Sequence, residues 1–378
     1  NKDVKDAEEQ KYAKLTEIAK ETKDKSIVTD VQLVVNVNKN KEELPPKFIL
    51  ERYEIKNGNI EALPSVASEG SDKDIESLEK LGLSRNPAKR IALIDNVHGR
   101  GNIGTHGEAD IGPTMKDRIL DPKKLTDAIS EGLKDSGHTK LDLLDMDSCL
   151  MGQDGFLRLA KTVTANLVAS PETEQFPSQN LGKIVSQLAS NTSENAEDLG
   201  RQIVSEARDG ANIGKDGTQG TKTLAYYNLN EMNSFDANLS KFAKDLSTYI
   251  QEPGKDDNAA QRKEAIKLSF VNADSYGEPV EGKKDLDSII KNLPAEIQND
   301  PILREDISKL LSSEHKLVDS YYGDVNGKYS ERGGLSIYVP QELAAKTKNN
   351  HSKSDLFHSR QAKYSLDSWD TLIDELSK

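Results

Sequence analysis

Three short apolar runs, IALI at 91–94, LDLLDM at 141–146 and NLVAS at 166–170, alternate with stretches of helical periodicity, and this alternation restricts the fold most. Each run has the length and bounds of a buried strand. Between the first two, Asp121 is a good N-cap with Pro122 at the first helical position. Leu125, Ala128, Ile129 and Leu133 then form one apolar stripe that ends near Gly137. Between the second and third, Phe156, Leu159, Ala160, Val163 and Leu167 recur at helical spacing. Strand, helix, strand, helix, strand at these lengths predicts an α/β fold with a mostly parallel sheet flanked by helices. Ligand sites in such sheets lie at the carboxyl ends of the strands. His98 and Cys149 both stand just beyond predicted strand ends.

The remaining segments arrange themselves around that centre. Residues 3–24 are charged, with Tyr12, Leu15 and Ile18 at helical spacing, so residues 1–26 read as an N-terminal helical arm. IVTDVQLVVNV at 27–37 reads as a strand, FILERYEI at 48–55 as a second strand or a hairpin, and a short helix is expected over 73–81. From about 230 onward helical patterns dominate, and GLSIYVP at 334–340 adds one strand closed by Pro340. The expected organisation is a core over 27–230 and a mainly helical subdomain over 231–378 that contributes the strand 334–340.

With 378 residues the chain can bury a large core. No apolar run approaches the ~18 residues of a membrane helix. A net charge of -13 opposes nucleic acid and anionic membranes and favours cationic partners, including polypeptides rich in Lys and Arg. The chain begins at Asn1 without an initiator methionine, which suggests removal of a leader and a secreted, periplasmic or cell-surface location. Its single cysteine, Cys149, excludes an internal disulfide framework, and no Cys/His set has structural zinc spacing. A monomer is favoured, without a sequence feature that fixes the oligomeric state.

Gly99, Gly101 and Gly104 match the G-x-G-x-x-G pattern of dinucleotide loops. Such a loop must open a helix at once so that the pyrophosphate meets a helix N-terminus. Thr105 to Pro113 instead holds more glycine and a proline, with no apolar stripe, and Thr105 stands where a Walker loop needs lysine. Acyl transfer by a thiol requires a thiolate, an imidazole to move its proton, and N–H donors for the oxyanion. His98-Gly99 and Cys149 supply these groups, and a glycine after the histidine lets the main chain approach a carbonyl closely. His106-Gly107 competes with His98 for that role but lacks an apolar strand directly before it. His138 follows a helix end, where a cation suits the helix dipole.

An apolar strand leading into His-Gly (IALIDNVHG), another leading into Asp-x-Cys-Leu-Met-Gly (LDLLDMDSCLMG), and GLSIYVP together resemble the clostripain-like cysteine peptidases. These are bacterial members of the fold group that includes caspases, gingipains and legumain. RYEI at 52–55, Tyr364 and Trp369 are weaker echoes, so the resemblance extends over most of the chain. It implies a caspase-like fold, Cys149 as nucleophile, His98 as general acid and base, and the N–H groups of Gly99 and Cys149 as oxyanion hole. It also implies cleavage of polypeptides after Arg or Lys, with Asp147 in the specificity pocket and Ser170 and Glu172 as further candidate lining residues. Lys116 and Arg118 fall where several relatives cut themselves during maturation. No cofactor is required, although some relatives need calcium; Asp324, Asn326 and Glu331 miss EF-hand spacing. Where the family loop usually runs His-Gly-Gly-Gly-Trp, this chain has His98-Gly99-Arg100-Gly101-Asn102, and Gly155 replaces a common Glu. The altered loop motivates a second expectation, a catalytically degenerate binding protein on a peptidase fold.

Overall fold

The structure, a computed structural model, describes residues 2–36, 48–105, 119–134, 136–174, 179–190, 195–208, 223–251, 259–277, 282–323, 329–340, 343 and 362–377. His106, Lys116, Arg118, Asp324 and Asn326 lie outside these residues.

In chain order the described elements begin with helix α1 (Lys2–Thr22) and strands β1 (Val28–Asn36), β2 (Phe48–Lys56) and β3 (Asn59–Ala67). Next come α2 (Ser71–Arg85), β4 (Ala92–Asn96), α3 (Pro122–Leu133), β5 (Leu143–Asp147), α4 (Asp154–Ala160) and β6 (Asn166–Ala169). Then follow α5 (Leu181–Ser190), α6 (Ala196–Arg208), β7 (Thr223–Asn228), α7 (Met232–Gln251), α8 (Ala259–Asn272) and β8 (Lys283–Asp285). The last are α9 (Leu286–Lys291), α10 (Ala295–Asn299), α11 (Pro301–Leu317), β9 (Val318–Gly323), β10 (Ser336–Tyr338) and α12 (Asp367–Ser377).

The central sheet has the order β4-β5-β6-β7-β9. β4, β5 and β6 are parallel, and β7 alone runs against its neighbours, so the sheet is mixed and mostly parallel. Successive side chains of β5 enter opposite layers. Leu144 and Met146 join a core with Leu125, Ile129, Phe156, Phe235 and Phe242, while Leu143 joins Val168, Ile184, Ile203 and Tyr226 under α5 and α6. Helices therefore cover both faces, and the layers hold β5 rigidly from either side.

Two strands depart from expectation. Residues 336–338 form β10, but β10 pairs antiparallel with β8 and stands outside the central sheet. The fifth strand of the sheet is β9, which leaves α11 with no glycine, proline or loop between them. That missing break removes the punctuation by which a strand is recognised in sequence. β1, β2 and β3 form a separate antiparallel sheet. Leu15, Ile18 and Ala19 of α1 bury Tyr53 and Ile55 of that sheet and reach Val185 of α5, which ties it to the main body.

Glu79 in α2 is buried at 6% exposure against Gly132 of α3, where a Cβ would fall 2.0 Å from its Oε2. Neither carboxylate oxygen has a hydrogen-bond partner, and burial pushes its pKa up to about 9. The folded state thus binds a proton that the unfolded chain releases near its ordinary value, so stability falls as pH rises between those two values. Glu79→Gln stays neutral and should escape this loss. Differential scanning calorimetry is expected to show the variant gaining about 3 kcal/mol on the wild type between about pH 5.5 and about pH 8. A difference that does not change with pH would reject the assignment.

Candidate active site

The register that pairs Asn96 with Asp147 sets the carboxyl ends of β4 and β5 side by side. His98 follows the first strand end and Cys149 the second. Gly99 closes the gap between the two loops: a Cβ there would lie 2.3 Å from the Cys149 carbonyl oxygen and 3.1 Å from its nitrogen. Only glycine permits this approach, so the main chain beside His98 rests directly on the main chain of Cys149. His98 itself is exposed. No side-chain hydrogen bond among the described residues orients its ring.

The altered glycine loop has a steric explanation. Gly101 has φ +63, and a Cβ there would lie 2.2 Å from Gln153 Oε1, which accepts from the Asn102 N–H at 2.8 Å. Arg100, by contrast, has φ -142 and points to solvent, so that position demands no glycine. Asn102 is 1% exposed, and its amide fills the space that a side chain at position 155 would need. Asn102 and Gly155 therefore pack as one complementary pair.

Cys149 lies on a sharp turn. Leu150 has φ +65, an uncommon left-handed conformation for a residue with a side chain. Hydrogen bonds from Leu150 N to Glu172 O at 2.9 Å and from Gly152 N to Ser170 O at 2.8 Å lock the turn onto the loop after β6. Ser148 Oγ donates to Asp95 O at 3.2 Å. Strain held by its surroundings in this way is typical of functional positions. The thiol is partly buried, and Glu174 N–H donates to its Sγ at 3.2 Å. Burial pushes the Cys149 thiol above its ordinary value, and Glu172 and Asp147 push it further. In this state the sulfur favours its protonated form, so its attack on a carbonyl requires a base to take the proton.

Asp147 ends β5 at 6% exposure and accepts a short hydrogen bond from Asn96 Nδ2. Ser170 is fully buried; its hydroxyl meets Thr223 Oγ1 at 2.8 Å and donates to Glu172 O at 3.0 Å. Glu172 Oε1 accepts from the Thr173 and Gly277 N–H groups at 2.7 and 2.9 Å. Both residues thereby shape the turn that delivers Glu174 to the cysteine. Beyond it, Leu150, Tyr276 and Tyr329 form an apolar wall against Cys149. His138 is remote from the cysteine turn: its Nε2 lies 2.8 Å from the Ala88 carbonyl, beside the end of α3.

Two acidic residues of the site escape notice in the sequence. Asp145 lies two positions before Asp147 on the same face of β5, and Glu174 brings its carboxylate against Asp147 and Cys149. The signal for Asp145 was present as a second acid at period two in an otherwise apolar strand. Among the described residues, no three His, Cys, Asp or Glu side chains converge in a geometry that could hold a metal ion. Among them, no helix is long and apolar enough to cross a membrane.

A model of the clostripain family, a peptidase family, matches residues 16–375. Among solved structures the chain is similar to an inactive zymogen C11 protease from Parabacteroides distasonis. They share 15% identity and a TM-score of 0.60 over 97% of this chain and 92% of that one. It is also similar to a secreted C11 cysteine protease from Bacteroides thetaiotaomicron, with 12% identity and a TM-score of 0.58 over 96% of this chain and 93% of that one. The same values of identity and TM-score hold for a secreted C11 cysteine protease of that organism in complex with an irreversible peptide inhibitor, covering 96% of this chain and 94% of that one. These likenesses carry the fold, which is caspase-like. No curated protein matches the chain.

Proposed function

The chain belongs to the clostripain family of cysteine proteases, and from that premise we propose that it is an endopeptidase acting outside the cytoplasm that cleaves polypeptides after arginine and lysine. Cys149 is the nucleophile and His98 its acid and base. His98 takes the Sγ proton as sulfur bonds to the scissile carbonyl carbon, and the N–H groups of Gly99 and Cys149 receive the oxyanion. The C–N bond then breaks, the departing amine takes the proton from His98, and a thioester remains. Water, deprotonated by His98, attacks the thioester and returns the thiol. The observation that best supports this reading is the seating of Gly99 on the Cys149 backbone, which brings the two N–H groups into one small region. A raised thiol pKa fits a dyad in which proton transfer accompanies attack, and no orienting carboxylate is required.

The preference for a basic side chain follows from Asp147. A buried carboxylate facing a substrate cation makes a charge-assisted hydrogen bond, whereas a neutral side chain leaves it without that partner at a cost of about 1–3 kcal/mol or more. Ser170 and Glu172 serve by holding the turn that walls this pocket. A matched set of fluorogenic peptides with Arg, Lys, Ala or Asp before the scissile bond, assayed with calcium and with chelator, tests the reading. Turnover confined to Arg and Lys is expected. No turnover in any arm would favour a degenerate binding protein on the same fold.

A further inference from the structure

Beside Asp147, at the carboxyl end of β5, lies a set of buried acids. Asp145 and Asp147 leave β5 on the same face because strand side chains alternate. Asp145 is 0% exposed; Gln179 Nε2 donates to its Oδ1 at 3.0 Å, while Oδ2 is buried with no hydrogen-bond partner. Glu174 enters from the turn after β6 with its N–H on the Cys149 sulfur, and both of its carboxylate oxygens are buried without a partner. Among the described residues, the groups that act on Glu174 are Asp147, Cys149 and Asp145, and those that act on Asp145 are Asp147 and Gln179; none of these is a cation. Unpaired carboxylate oxygens in a dry site beside a nucleophile are costly unless something cationic comes to meet them.

We propose that Asp145 and Glu174 join Asp147 as the receptor for the basic side chain of the substrate, and that this set of carboxylates gives up a proton when that side chain enters. The proposal rests on the preference for basic residues argued above and adds to it the identity and charge state of the pocket floor. Three carboxylates in one low-dielectric volume cannot all ionise, and the proton they retain belongs to the set and to no single member. Burial, reinforced by Asp147, holds both Asp145 and Glu174 well above the usual carboxylate range. A guanidinium or ammonium group reverses that balance: it favours the ionised carboxylates, the proton departs to solvent, and the net charge of the pocket is conserved. Substrate binding is thereby linked to pH through the pocket as well as through the dyad.

The full chain carrying Cys149→Ala and His98→Ala isolates the pocket, because neither the thiol nor the imidazole can then contribute a proton. Short peptides ending in arginine or in citrulline, its uncharged analogue, are titrated into it by calorimetry in two buffers of different ionisation enthalpy. The arginine peptide is expected to release about one proton near neutral pH and to bind up to about tenfold more tightly per unit rise in pH, while citrulline releases none. Asp145→Asn and, independently, Glu174→Gln should each reduce the proton count by about half or more. Arginine binding without proton release, or a count unchanged in both variants, overturns the proposal while leaving the basic preference intact. Equal binding of arginine and citrulline overturns the preference as well.

Discussion

Cys149→Ala is expected to lower kcat/KM for an arginyl peptide by about five orders of magnitude, with the circular dichroism spectrum and melting temperature little changed. Removing a covalent nucleophile eliminates the thioester route altogether and leaves only binding and the oxyanion donors, which in comparable dyads and triads retain a small residual rate. The fold should tolerate the change because Cys149 is only partly buried and its sulfur makes weak contacts with the Glu174 backbone. His98→Ala should cost about 10^3-fold to 10^4-fold, since the half-buried thiol keeps its proton without an imidazole to accept it. His106→Ala provides the contrast, because no apolar strand leads directly into His106 in the sequence, and its activity should stay within about threefold of wild type. A large loss with His106→Ala and a small one with His98→Ala would reassign the base. Little loss with Cys149→Ala would remove the thiol mechanism.

The strand ends that carry His98 and Cys149 were legible in the sequence because apolar strands with a glycine turn or a cysteine box at their ends leave a local signature. β4 and β5 carry that signature, and the register between them does the rest. The same local logic identified α3, whose Asp121 accepts from Lys123 N as an N-cap should. Features that depend on distant partners were not legible. β9 continues straight out of α11, and β10 chooses β8 although its sequence alone would suit the central sheet. β3 is mostly exposed, so no alternation marks it. The acids around the cysteine show the same limit. Asp147 was found beside the cysteine, whereas Glu174 reaches Cys149 only through the turn that Ser170, Glu172 and Gly277 brace across more than 100 residues of chain. The reason for a glycine at 155 was equally hidden, since the Asn102 amide that occupies the space of a side chain there is 53 residues away.

Asp147→Asn is expected to cut kcat/KM for arginyl and lysyl peptides by about 10^2-fold to 10^3-fold, while an alanyl peptide changes by less than about threefold. Truncating one partner of a buried, hydrogen-bonded charge pair costs about 2–5 kcal/mol, because the substrate cation then loses its nearest counter-charge. Since the lost contact exists in the bound substrate as well as in the transition state, most of the loss should fall on KM. The stability effect runs the other way. Asp147 raises the pKa of both Asp145 and Glu174, so a neutral amide in its place relieves repulsion among buried carboxyl groups. The melting temperature of Asp147→Asn near neutral pH should therefore equal or exceed that of the wild type, even as the enzyme loses its basic substrates. A residue that merely orients the turn before the cysteine would behave differently: its loss would slow arginyl and alanyl peptides alike and lower the melting temperature. That pattern would remove Asp147 from the pocket and return it to the scaffold.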